Sequence, residues 1–281
     1  MKILLAAATA LLTLGAMQAP PAPAAQAPLS LWRLDCGDFV IKDYNAFFSD
    51  TLAYPPRQPK DITSSCYLIR NGSRYMLWDT GVSAALVDSP IDNAAQTIRL
   101  NKSIVTQLAE IGVKPEQIEI VGISHFHGDH IGQAASFPKA KLVMGKGDLD
   151  ALRAVPPDPR LQPDMLKPWL KDGAPLVETT GDVDIFHDGR VIMLNLPGHT
   201  PGHTALLVRL ASGAVLLTGD LYHFAEQVPI KGVPPFNTNR ADTLASMDRF
   251  DKLARNLRAK VIIQHEPADI AKLPRFPQAA Q

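Results

Sequence analysis

Cysteine is nearly absent: the 281 residues hold two, Cys36 and Cys66, and neither has the spacing of a metal-ligating pair. Charge of either sign in excess is absent too, because Lys plus Arg and Asp plus Glu both number 28. No net field therefore favours nucleic acid, an anionic membrane surface or a strongly charged substrate, and a small, weakly charged substrate fits better. A membrane span is also missing: the apolar run over residues 3–17 is short of the roughly 20 residues a span needs. With Lys2 before it and small residues and prolines after it, this run has the plan of a secretory signal peptide. Cleavage is expected after the small-x-small stretch Ala22-Pro23-Ala24, which makes residues 1–24 the leader and residues 25–281 the mature chain. A periplasmic or secreted protein with no stable membrane association after cleavage follows. In such an oxidising compartment Cys36 and Cys66 either pair or remain two separate buried thiols, and the sequence leaves both open.

There is no internal repeat, and a hydrophobic fraction of 46% suffices for one sizeable core, so a single domain is expected. "LWRLDCG" reads as a short strand, followed by an aromatic loop with Phe39, Tyr44, Phe47, Phe48 and Tyr54. "CYLIR" and "RYMLWDTG" flank Asn71-Gly72, a pair suited to a tight hairpin turn. "NKSIVTQLAEIGV" has a helical apolar face, and "IEIVGIS" is a buried strand that runs straight into a histidine-rich loop. A strand "AKLVMG" and a short helix "DLDALRA" precede a proline-rich segment over residues 155–175, read as a loop or lid. Strands "VIMLNL", "TALLVRL" and "AVLLTGD", a helix over residues 240–259 and a strand "KVIIQ" complete the chain. Strands and helices in this succession suit two stacked half-domains.

Five of the eight histidines stand at the ends of apolar strand segments or in glycine-containing turns: His125, His127, His130, His199 and His265. In "HFHGDH" an extended backbone aims His125 and His127 to one side, while Gly128 permits a turn that brings Asp129 and His130 round. Imidazole and carboxylate donors without thiolate suit Zn²⁺, and also Mn²⁺, Co²⁺ or Fe²⁺. One ion needs three or four such groups, so the surplus points to two.

"HFHGDH" at residues 125–130, "PGHT" at 197–200, "TGD" at 218–220 and His265 after a strand, in that order, resemble the metallo-β-lactamase superfamily. "WDTG" at residues 78–81 looks like its early Asp-Thr-Gly turn, and the resemblance covers residues 31–265. It implies an α/β fold, a four-layer αβ/βα sandwich in a single domain. It further implies two divalent metal ions, one on His125, His127 and His199 and the other on Asp129, His130 and His265, with Asp220 bridging both. His203 then has a supporting role, and His187 is not a ligand. The implied chemistry is hydrolysis by water activated between the cations, with Asp129 either also taking or passing a proton to the leaving group or serving only as a ligand.

The bridging Asp220 sets the chain apart from the β-lactamases that share this loop. "LDCGDF", the long loop before "SSCYLI", "HFHGDHIGQAASFP" and "GDLYHF" look most like the N-acyl-homoserine lactonase family. That resemblance implies opening of the lactone ring of a bacterial signal, that is, quorum quenching. The aromatic residues of the loop over 39–54 and the segment around Trp169 either line an acyl-chain groove or simply pack. One departure stands out: the family's tyrosine three residues after the bridging aspartate is His223 here, with Tyr222 one position earlier. Either Tyr222 or His223 is therefore a candidate catalytic donor. The implied partner is a small-molecule ester or lactone, and a homodimer is compatible with it. Alternatives are an exported aryl-ester or phosphotriester hydrolase resembling methyl parathion hydrolase, then a glyoxalase II-like thioesterase or a β-lactamase. A non-catalytic metal-binding protein is the reading from another class.

Overall fold

Apolar positions that alternate in "IEIVGI" and run unbroken in "TALLV" need cover on both faces, and two packed sheets supply it. The computed structural model describes residues 27–281, so the expected leader lies outside the described residues. The first sheet holds β1 (Leu29–Ile41), β2 (Lys60–Asn71), β3 (Arg74–Trp78), β4 (Ile91–Asp92), β5 (Gln96–Arg99), β6 (Ile118–Ile123), β7 (Lys141–Gly145) and β8 (Leu176–Thr179). Their spatial order is β4-β5-β1-β2-β3-β6-β7-β8, antiparallel from β1 to β3 and parallel from β3 to β8. The second sheet holds β9 (Val183–Asp184), β10 (Val191–Asn195), β11 (Thr204–Leu210), β12 (Gly213–Leu217) and β13 (Lys260–Ile262), in the order β13-β12-β11-β10-β9. Six α-helices accompany them among the described residues: α1 (Tyr44–Phe48), α2 (Ile104–Glu110), α3 (Gly128–Ile131), α4 (Lys146–Leu152), α5 (Gln227–Ile230) and α6 (Arg240–Leu257).

Successive residues of a strand face opposite sides, and the core divides accordingly. Ile120 and Val143 point between the sheets, where they meet Met193, Leu206, Val208 and Leu217. Val121, Ile123 and Leu142 point outward onto Ile104 and Leu108 of α2 and Leu149 of α4. Leu207 and Leu216 of the second sheet pack outward on Met247 and Phe250 of α6. The layers are thus helix, sheet, sheet and helix, the sandwich that the resemblance implies.

Four local expectations need correction or completion. The first strand does not stop at Gly37 but runs to Ile41 through a register shift between Asp35 and Asp38, which places Phe39 in the sheet; Tyr44, Phe47 and Phe48 then form α1, capped by Asp43. The hairpin turn lies one residue further on, because Asn71 pairs with Arg74 and leaves Gly72-Ser73 as the loop. Gly72, at φ +62°, occupies the position where a glycine lets a two-residue turn match the strand twist. The proline-rich segment is not free to act as a lid throughout: Leu166 and Trp169 are fully buried, and the Trp169 indole donates to Ala140 O at 2.8 Å. Trp169 is core rather than groove. Finally, Cys36 and Cys66 are joined in a disulfide that lies buried beside Leu34 and Leu77.

β5 covers β1 only from Asp38 to Ile41. Nearer the start of β1 other groups satisfy the backbone, as buried or half-buried amides require. Leu31 exchanges two backbone hydrogen bonds with Ala280, both 2.9 Å, and the Gln107 carboxamide accepts from Asp35 N at 2.9 Å and donates to Asp35 O at 2.7 Å.

Candidate metal centre

Strand ends from both sheets meet at one place. β6 delivers His125 and His127, α3 carries Asp129 and His130, the β10–β11 loop carries His199, and Asp220 and His265 follow β12 and β13. The inward ring atoms are Nδ1 of His127 and Nε2 of the other four histidines. His125 Nε2, His127 Nδ1 and His199 Nε2 form a triangle with sides of 2.9, 3.0 and 3.2 Å. Three nitrogens about 2.0–2.1 Å from one tetrahedral ion would stand about 3.3 Å apart, so the triangle is close to that shape. His130 Nε2 and His265 Nε2 are 3.2 Å apart, with Asp129 Oδ2 at 3.7 and 3.6 Å from them.

Asp220 stands between the two groups and divides its carboxylate between them. Oδ1 is 3.1 Å from His130 Nε2 and 2.9 Å from His265 Nε2, while Oδ2 is 3.5 Å from His125 Nε2 and 3.4 Å from His199 Nε2. The structure therefore brings together all seven residues expected to hold metal, as one group of His125, His127, His199 and Asp220 and another of Asp129, His130 and His265.

The outer ring nitrogens fix what the inner ones can do. His130 Nδ1 meets the Asp79 carboxylate at 2.9 Å, His199 Nδ1 meets Asn237 Oδ1 at 2.9 Å, and His265 Nδ1 meets Thr63 O at 2.8 Å. Each partner accepts, so each Nδ1 carries hydrogen and each Nε2 turns a lone pair inward. Burial pushes His125 and His199 well below the ordinary histidine range and His127 down to about 4, which keeps these rings neutral. Burial disfavours charge on His130 and His265 as well, but Asp220 and Asp129 outweigh it and raise both. Burial would lift Asp220, yet the surrounding rings, His130 and His265 foremost, hold it well below the carboxylate range. Carboxylates that favour a proton here favour a cation in its place. Inward nitrogens kept neutral on His125, His127 and His199, an anionic bridge and an Asp220 Oδ1 with no hydrogen-bond donor fit a pair of divalent cations.

His203 is not among the inward groups. Its Nδ1 donates to Leu196 O at 2.9 Å and its Nε2 accepts from Asp220 N at 2.9 Å, so it fixes the turn that presents Asp220. His187 lies away from the centre, in the turn between β9 and β10. Of the two candidate donors, Tyr222 is corrected: its ring is buried against Phe250, and its hydroxyl lies against Asp251 and Lys231. In the turn and bend that follow β12, His223 takes the inward side. His223 Nε2 is 3.2 Å from Asp220 Oδ2, and its ring is stacked on His265 at 5.7 Å.

The mouth lies beside His127 and Asp129, which are half-buried while the other five residues are buried. Phe48 lies 4.7 Å from the His223 ring, and Phe236 packs against His127 and His199. Phe47 and Phe236 keep 38% of their surface exposed, enough to meet a ligand.

Asp79, Asn237 and Thr63 escaped the sequence reading as supports of the histidines. Asp79 had a signal, the "WDTG" turn, where it sits at φ +57° and also accepts from Ser124 N and Gln264 Nε2. Asn237 and Thr63 had none, since an asparagine in a proline-containing loop and a strand carbonyl are common.

Two stacked sheets with a two-group His/Asp centre at their joined ends define a metallo-hydrolase. The chain belongs to the metallo-beta-lactamase superfamily, whose sequence profile matches residues 60–265. Within it the chain is similar to the N-acyl homoserine lactonase AttM of Rhizobium radiobacter, at 31% identity over 187 residues, 63% of this chain and 70% of that enzyme. Its fold is similar to that of a quorum-quenching N-acyl homoserine lactone hydrolase, with a TM-score of 0.76 at 20% identity over 91% of this chain and 99% of the other. It is also similar to AidC, a dizinc quorum-quenching lactonase, with a TM-score of 0.66 at 18% identity over 91% and 90%.

Proposed function

We propose that the protein opens the lactone ring of N-acyl homoserine lactones at a dinuclear zinc centre. The observation that carries this reading is the Asp220 carboxylate, which turns one oxygen to each group of histidines. The lactonase relatives support the substrate class, and donors limited to imidazole and carboxylate support zinc. Two bound divalent cations supply a water that ionises near neutral pH and polarise the ester carbonyl.

The chain's own residues position and protect this chemistry. Asp79, Asn237 and Thr63 lock three imidazoles in the tautomer that faces inward. Phe47, Phe48 and Phe236 form an apolar wall beside His199 and His223, suited to an acyl chain and to exclusion of bulk water. His223 Nε2, at 3.2 Å from Asp220 Oδ2, is within reach of a carbonyl oxygen that gains negative charge as the carbonyl carbon becomes tetrahedral. When the acyl carbon–oxygen bond of the ring breaks, the ring oxygen takes a proton carried by Asp129 at the mouth, and the product is the open hydroxy acid. Replacement of His223 by Ala is expected to lower kcat on a homoserine lactone by about 10²-fold. Tyr222→Phe should stay within about twofold, because its hydroxyl serves α6 instead of the site; a reversed ranking in steady-state kinetics would return the role to Tyr222.

We also infer export of the mature chain, an expectation supported by the Cys36–Cys66 disulfide, since such bonds persist in oxidising compartments. The second reading, phosphotriester hydrolysis, uses the same groups. A direct comparison decides: zinc-loaded protein is offered a short- and a long-chain homoserine lactone and an aryl phosphotriester, with Asp129→Ala alongside. Lactone opening with kcat/KM above about 10⁴ M⁻¹s⁻¹, lost in the variant, is expected. Inert lactones beside rapid phosphotriester cleavage would overturn the lactonase reading and keep the hydrolase.

A further inference from the structure

We propose that Asp148 is a positioning residue for the three-histidine group: it clamps the loop that carries His125 and His127 to the loop that carries His199, and so presets that group for a cation. Asp148 lies in the first turn of α4 and is fully buried. Its Oδ2 accepts from Phe126 N at 3.0 Å and from Thr200 Oγ1 at 2.9 Å, and its Oδ1 accepts from Gly202 N at 2.6 Å. Phe126 lies between His125 and His127, and Thr200 follows His199. One carboxylate therefore fixes the chain beside all three ring donors.

The backbone contact behind this clamp is equally close. A Cβ on Gly145 would come within 1.9 Å of Gly202 O, and one on Gly147 within 2.7 Å of Pro201 O. The start of α4 is thus pressed onto the turn after His199 with no room for a side chain. Burial pushes the Asp148 carboxyl up to about 7 against the pull of its three hydrogen bonds. An apolar residue would avoid the cost of burying a carboxylate here, but it could not join the two loops. The other group has separate supports, since His130 is held by Asp79 and His265 by Thr63 O. The effect of Asp148 should therefore fall on one metal and spare the other.

The inference rests on the two-metal reading and not on the lactone. Its test withdraws zinc from the loaded protein with a chelator while histidine-ring NMR reports which rings lose the ion. Asp148→Asn keeps the side-chain shape but turns an amide N–H towards a donor. It is expected to release zinc from His125, His127 and His199 at a free-zinc level about 10- to 100-fold higher than the parent. His130 and His265 should shift by less than about threefold. Equal weakening of both groups, or no weakening, overturns the proposal. Thr200→Val removes a single bond and covers the case in which Asp148→Asn does not fold: a smaller loss with the same asymmetry is expected, and a symmetric or absent loss again overturns it. Parent rings that never respond to zinc would instead sink the two-metal reading itself.

Discussion

Asp220→Asn is expected to lower kcat/KM by about 10³-fold or more and to cost the protein at least one of its two metals. The substitution keeps the shape but replaces one oxygen with an amide group. That amide would face either His130 and His265, at about the 2.9–3.1 Å now held by Oδ1, or His125 and His199 beside Oδ2. An N–H cannot bind a cation, and the bridge loses its negative charge. The loss should exceed the 10- to 100-fold that follows removal of a group outside the ligand set, and it should approach or pass that of a deleted charge-stabilising donor. Steady-state kinetics and metal content per chain measure both effects. A variant that keeps two metals and full activity would exclude a mechanism in which Asp220 joins them.

Removal of the Cys36–Cys66 disulfide, by Cys36→Ala with Cys66→Ala or by reduction of the unfolded chain, is expected to cost about 3–4 kcal/mol of stability. The bond closes a loop with a sequence separation of 30 residues, and loop-closure entropy for that length is of this size. Denaturant unfolding of the oxidised and disulfide-free proteins at one fixed metal concentration measures the difference, since bound metal adds its own stabilisation. A loss below about 1 kcal/mol would mean that the unfolded chain is little constrained by the bond. The site should feel the change too: Cys36 O accepts from Val82 N, and in the adjoining turn Thr80 N donates to His130 O and Gly81 O accepts from Gly132 N.

Strong periodicity made much of the fold legible. β6 running into "HFHGDH", the three strands β10 to β12 and helix α6 were all visible as apolar patterns of the right length. β4 and β9, two residues each, were not visible, because a strand that short has no period and its pairing partner defines it. Trp169 was left open between groove and core for a related reason: prolines advertise irregular backbone, and they say nothing of whether the intervening side chains reach the core. The inward residues of the centre were legible because their chemistry concentrates in short motifs. Their supports were not, since Asp148 in "GKGDLDAL" reads as an ordinary acid in the first turn of a helix. The choice between Tyr222 and His223 needed the path of the turn that follows Asp220, which packing of Tyr222 against α6 decides.

The two hydrogen-bonded caps on the early part of β1 bear on behaviour in concentrated solution. A bare strand at that position would offer Leu31 to Asp35 as a template for a second chain. Ala280 occupies the pairing site at Leu31, and the Gln107 side chain imitates a neighbouring strand at Asp35. What remains between them is a slot one residue wide at Arg33, too narrow for edge-to-edge aggregation to start.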